Sequence, residues 1–249
     1  MTQLQDVSEQ RVSDPYPGGY KAPEPLLAAA DTIFDRNRIS ADLHDAITDD
    51  MSPKEIRAAT VSCLAAARKS ALAVIAEAIA EDPYASQAAV RSYTYLCDCL
   101  VHGVFAVAVR HIHPPKTRKE AEQLSVVAVG GYGRAEMAPF SDVDLLFLTP
   151  WKTTAWAESM IETMLYMLWD LRLKVGHASR TVQDCIRLGR DDYTIRTSLL
   201  EKRFLDGNAE LAETLRTRLR EDLFRTTAAD FIEAKLTERE QRHRKQGGQ

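Results

Sequence analysis

Apolar positions recur with two different periods along this chain, and the period changes near Pro114. Over residues 52–83, "SPKEIRAATVSCLAAARKSALAVIAEAIAEDP", Ile56, Ala59, Cys63, Ala67, Val74, Ala78 and Ile79 fall near one helical face. The stretch opens with a serine, a proline and, three residues after Ser52, a glutamate, which is a helix start signal. Pro83 marks its end. A second helix follows, with Tyr93, Cys97, Leu100, Val101, Val104 and Ala108 on its apolar side, and stops near "HIHPP". Two helices joined so closely predict a hairpin that packs as a support. His111 and His113 have an H-x-H spacing, but with no third metal partner nearby in sequence they read as a helix end, where imidazoles suit the negative pole.

Beyond Pro114 short β-branched runs replace the helical pattern. "SVVAVGG" predicts a buried strand, and "DVDLLFLTP" a second one closed by Pro150. "TTAWAESMIETMLYMLWDLRL" predicts an amphipathic helix whose stripe is Met160, Met164, Met167, Leu168 and Leu171. "KVGHASRT" reads as a third strand, residues 182–200 as helical, and "LLEKRFLDG" as a short edge strand. Two more helices follow, and the last loses its apolar face after Leu236. The fold class expected is α+β, with a short mixed sheet flanked by helices and preceded by a helical hairpin. The organisation expected is an extended, mobile lead-in over residues 1–24, carrying "DPYPGGYKAPEP", a helical region over 25–117, a sheet domain over 118–225, and a C-terminal helix over 226–249.

A chain of 249 residues, 45% hydrophobic, can bury one domain core or two small ones. A net charge of -4 argues against a broad nucleic-acid footprint, though a local phosphate site needs no basic protein. Cys63, Cys97, Cys99 and Cys185 form neither a C-x-x-C pair nor a disulfide ladder, which points to a reducing, cytoplasmic setting and away from zinc. No apolar run of membrane-spanning length is expected, and "MTQLQDVSEQ" lacks the regions of a secretory signal.

The candidate chemistry lies in residues 126–148. Asp142 and Asp144, one residue apart, share a face if both lie in a strand. Two carboxylates about 4 Å apart repel by roughly 4 kcal/mol at an effective dielectric near 20. Protonation of one, exposure of both, or a cation between them would each relieve this. Magnesium suits one or two carboxylates plus substrate phosphates. Just upstream, Gly130, Gly131 and Gly133 follow the first strand; glycines at a turn entering a helix allow backbone amides to cradle an anion, and Arg134 adds a planar cation. The run is neither a Walker loop nor a dinucleotide fingerprint, because it lacks G-K-[ST] and Glu136 stands where the third glycine of G-x-G-x-x-G would be.

"VGGYGRAEMAPFSDVDLLFL" resembles the signature of the DNA polymerase β-type nucleotidyltransferases, and in its extended form that of the PII uridylyltransferase family, GlnD. The likeness continues in "LWDLRLKVGHASRTVQDC", in "TIRTSLLEKRFLDGN" and weakly in "AKLTEREQRHRKQGG". The resemblance implies a polymerase β-like fold and transfer of UMP from UTP to a tyrosine of the PII signalling protein, with release of pyrophosphate. By motif position Gly130 and Gly131 would hold the triphosphate, and Asp142 and Asp144 two magnesium ions. Gly133, Arg134, Ser141 and Arg180 complete the nucleotide-binding candidates. The superfamily's third carboxylate has no counterpart in "KVGHASRT", so Glu201 is the candidate, against an ion pair with Lys202 or Arg203. Arg180 reaches the nucleotide or pairs with Asp184, and His177 contacts substrate or caps a strand. The family's phosphohydrolase and ACT domains find no match, His44-Asp45 standing alone, so the chain reads as an N-terminal fragment. The competing expectations are a nucleotidyltransferase with another acceptor, a non-catalytic nucleotide-binding module, and a plain scaffold.

Overall fold

The structure, a computed structural model, describes residues 20–117, 119 and 124–245. Most of the expected lead-in therefore lies outside the described residues. The chain runs through α1 (Ala30–Ile33), α2 (Arg36–Ala46), α3 (Pro53–Glu81) and α4 (Ser86–Val107), whose last turn widens over Ala108–Ile112. Then come β1 (Ser125–Ala128), the single turn α5 (Gly130–Gly133), β2 (Val143–Thr149), α6 (Ala155–Asp170) and β3 (Val175–Thr181). The rest is α7 (Val182–Asp191), α8 (Tyr193–Leu200), β4 (Arg203–Gly207), α9 (Ala209–Arg218) and α10 (Arg225–Lys245).

The α3 start matches its signal: Ser52 and Glu55 form a reciprocal capping box ahead of Pro53. Its buried stripe matches only at Ile56 and Ala67. Ile56, Thr60, Leu64, Ala67, Ala71 and Ile75 face inward, while Ala59, Cys63, Val74, Ala78 and Ile79 are only partly covered. The helix is so rich in alanine that its apolar periodicity is shallow, and Thr60 is buried at little cost because its hydroxyl donates to the Ile56 carbonyl at 2.7 Å. The expected apolar side of α4 is buried, but so is the rest of the helix from Ser92 onward. It is a central helix, packed by α3 on one flank and by β4 and α6 on others. Contrary to the sequence reading, the segment Ser86–Ile112 is long and apolar enough to cross a membrane by length and composition, but its most apolar 18-residue stretch is 94% buried inside the fold.

The sheet has the order β3-β2-β1-β4. β1 is antiparallel to both β2 and β4, and β3 is parallel to β2, the crossover between them being α6. β4 is an edge strand as expected, yet it begins at Arg203, so Glu201 caps α8 and lies outside the strand. Val126, Ala128, Val143, Leu145, Phe147 and Leu205 turn to the face covered by α3, α4 and α6, and share one core with those helices. Val127, Leu146 and Leu148 turn to the other face, against Val182, Cys185 and Ile186 of α7, Leu199 of α8 and Leu211 of α9. Met160, Met164, Met167, Leu168 and Leu171 fill the first core as their spacing predicted. Among its described side chains α10 buries none.

Candidate active site

The functional residues gather where β1 ends and β2 begins. Val129 donates to the Asp144 carbonyl at 3.1 Å, tying the two strand mouths together. The chain then turns sharply. Gly130 has φ +61°, a conformation that a residue with a Cβ rarely adopts, and the turn of α5 closes with Gly133 donating to the Val129 carbonyl and Arg134 to that of Gly130. The amides of Gly130, Gly131 and Tyr132 precede the first intrahelical bond of the turn. Gly133 is required for a different reason: a Cβ there would lie 1.6 Å from the Glu201 carbonyl oxygen, so the turn rests directly on the end of α8.

Asp142 just precedes β2 rather than lying in it, and is exposed; Asp144 is the strand's second residue and half-buried. By the two-residue period Asp144 shares the face of Leu146 and Leu148. A Cβ on Gly130 would come within 3.5 Å of one Asp144 oxygen, and one on Gly176 of β3 within 2.3 Å of the other. Small residues on both sides thus seat this carboxylate. Burial, with the Asp142 charge second, holds its pKa above the ordinary 3.8. Gly131, Tyr132, Glu136, Met137, Phe140, Ser141, Asp142 and Asp144 line one open cleft of about 450 Å³. The donor set fits a hard divalent cation: two carboxylates that each oppose the other's charge, in a cleft with room for phosphate oxygens as further ligands. Among the described residues no three His, Cys, Asp or Glu side chains converge, so other ligands would have to come from substrate or water.

The remaining candidates divide. Ser141 lines the cleft. Arg134 sits at its edge with its guanidinium held by Glu136 at 3.0 Å and by Glu201 at 2.6 Å. Glu201 therefore pairs with Arg134, and with neither Lys202 nor Arg203. Arg180 lies opposite Leu148, four residues beyond the pairing of Asp144 with Gly176, and so about 13 Å along the strand from it. Asp184 takes Arg187 and the Thr181 cap as its partners, leaving no pair with Arg180. His177 is exposed on the face opposite Asp144, with Trp169 beside it at 6.3 Å. Burial lowers the pKa of both His111 and His113, aided at His111 by Arg110, which disfavours the charged forms that would answer a helix pole. His113 instead meets the Thr163 hydroxyl at 2.8 Å. Sequence reading missed Met137 and Phe140, and took Glu136 only as a departure from a dinucleotide motif. Phe140 stands 81% exposed at the lip with φ +68°, and nothing in its sequence context signals that.

A glycine turn facing a carboxylate mouth, on a mixed sheet whose first strand runs antiparallel to both its neighbours in the order given, places the chain in the class of nucleotidyltransferases. Residues 24–173 match the protein-family model described as glutamate-ammonia ligase adenylyltransferase. The chain is 55% identical over 215 residues to a bifunctional uridylyltransferase/uridylyl-removing enzyme of Ruegeria pomeroyi, covering 86% of this chain and 24% of that protein. It is 56% identical over 199 residues to the protein of the same name from Cereibacter sphaeroides, covering 80% of this chain and 21% of the relative. The chain belongs to the nucleotidyltransferase family this model describes, and over most of its own length it is a homologue of proteins named bifunctional uridylyltransferase/uridylyl-removing enzyme. It spans less than a quarter of the length of these curated relatives.

Proposed function

We propose that the chain is a uridylyltransferase module that moves UMP from UTP to a tyrosine hydroxyl of the PII signalling protein. The tyrosine oxygen bonds to the α-phosphorus, the bond from that phosphorus to the β-bridging oxygen breaks, and pyrophosphate leaves. The observation that carries this reading is the meeting of the α5 turn with Asp144 in one cleft. The amides at the start of the α5 turn suit the triphosphate, Ser141 and Gly133 support its path, and Asp142 and Asp144 would hold magnesium. When bound, magnesium neutralises charge on the phosphate oxygens. Arg134 turns from Glu201 to a phosphate oxygen as the nucleotide arrives. Glu201 is then free to take the proton that a tyrosine with a pKa near 10 must lose. Arg180, four residues up the strand, serves the nucleotide only from a distance.

The test is incubation with labelled UTP, magnesium and PII. One PII tyrosine acquires label, and the double variant Asp142→Ala, Asp144→Ala loses it by about a hundredfold or more. Equal labelling by that variant would remove the metal role. The family model's name favours a second reading, an adenylyl transfer to glutamate-ammonia ligase. Labelled ATP with that acceptor is the parallel arm, and label there but not on PII would replace the first reading.

A further inference from the structure

We propose that α4 is the positioning element of the glycine turn, with Thr94 and Asp98 holding the two ends of segment 130–137 where it meets Asp144. This rests on the reading that the turn binds a triphosphate. Thr94 and Asp98 are four residues apart, so they lie one helical turn apart on the same side of α4. Both are fully buried in a helix that is otherwise largely apolar.

Asp98 acts through Arg203. Its carboxylate accepts from Arg203 Nη1 at 2.7 Å and Nη2 at 3.0 Å, and from the Tyr20 hydroxyl at 2.6 Å. Tyr20 is thus docked, at the close of the stretch expected to be mobile. Arg203 pairs with Ala128 across the β4–β1 ladder, at the residue where β1 gives way to the turn. There its Nη2 also donates to the Tyr132 carbonyl at 3.1 Å, and its guanidinium lies over the Tyr132 ring at 5.5 Å. Thr94 acts directly. Its hydroxyl proton goes to the Val90 carbonyl at 2.8 Å, which leaves a lone pair for the Met137 amide at 3.2 Å. Between the two anchors Ala135 has φ +59°, a conformation that persists in a non-glycine residue only when its surroundings over-determine it. A buried ion pair is weak support for stability, since apolar replacements often do as well. What the pair does here that an apolar contact could not is fix a carbonyl of the turn from behind. The helical region is therefore part of the nucleotide site's geometry rather than a passive buttress.

The test uses the whole chain with Thr94→Val, which keeps shape and removes the acceptor for Met137, Thr94→Ser as its rescue, and Asp98→Asn. Two quantities are read: magnesium–UTP affinity by calorimetry, and amide exchange of residues 130–137. Thr94→Val weakens UTP binding by about three- to tenfold and speeds exchange in that segment, and the unpaired Met137 amide lowers the melting temperature. Thr94→Ser restores both, and Asp98→Asn weakens binding at least as much. If Asp98→Asn fails to fold, the Thr94 pair decides alone. Unchanged exchange in Thr94→Val overturns the clamp, and faster exchange with unchanged UTP affinity overturns its positioning role. Absence of UTP binding by the unaltered chain sinks the nucleotide reading instead, and the clamp is then judged on exchange.

Discussion

Gly130, Gly131 and Gly133 look alike in sequence, yet each is glycine for a different physical reason. Gly130 needs its positive φ, and Gly133 has no room for a Cβ against the Glu201 carbonyl. A Cβ on Gly131 would meet only the Glu136 carbonyl at 3.7 Å and Arg134 Nη2 at 3.8 Å, both ordinary contacts, so its demand for glycine comes from outside the fold. Gly133→Ala is expected to destabilise by about 3 kcal/mol in chemical denaturation, because backbone must give way. Gly131→Ala is expected to match the unaltered chain in that measurement and to lose UTP affinity. The carboxylates make a parallel distinction. Magnesium with UTP raises the melting temperature of the unaltered chain, by the equivalent of about 2.7 kcal/mol at a hundredfold excess over Kd. The double variant Asp142→Asn, Asp144→Asn shows no such rise if these two residues carry the metal.

At the scale of elements, the terminus of α4 carries a pH dependence. His111 and His113 have pKa values held below 6.5, by burial first. In the unfolded chain both imidazoles take up protons earlier as pH falls. Between 6.5 and the lower folded values the unfolded state therefore binds more protons, and stability is lost on acidification. Urea denaturation at about pH 7.5 and about pH 5.5 should show that loss, and His113→Gln should show a smaller one. The elements also show why patterns were legible to different depths. Strands β2 and β3 were readable to within a residue, whereas the expected β1 and β4 segments ran three and four residues beyond the observed strands, into the glycine turn and the end of α8. In α3 alanine carried too little contrast to set the phase of the stripe. In α4 the pattern marked one buried side, whereas neighbours from both halves of the chain cover every side of it from Ser92 onward.

For the whole molecule the important fact is a single core that runs from Phe34 and Leu43 through Leu64 and Leu100 to Val126, Phe147 and Met164. The helical region and the sheet were expected as separate stretches of sequence, but they bury their apolar faces against each other. Leu100 is fully buried at the centre of this core. Leu100→Ala is expected to cost about 3 kcal/mol, and circular dichroism and tryptophan fluorescence should report one coincident transition before and after the change. Two separated transitions would show that the halves fold independently.

The sequence by itself determined the order and type of the elements from Ser52 onward, the apolar stripe of α6, and the nearness of a glycine turn to two aspartates, since each of these is a local pattern with a local cause. Tertiary structure alone decided the partners of the charged groups around the site. Glu201 went to Arg134 and Arg203 to Asp98. Such choices depend on distances between segments far apart in the chain: Asp98 and Arg203 are separated by 105 residues, and only the packing of α4 against β4 brings them within 3 Å.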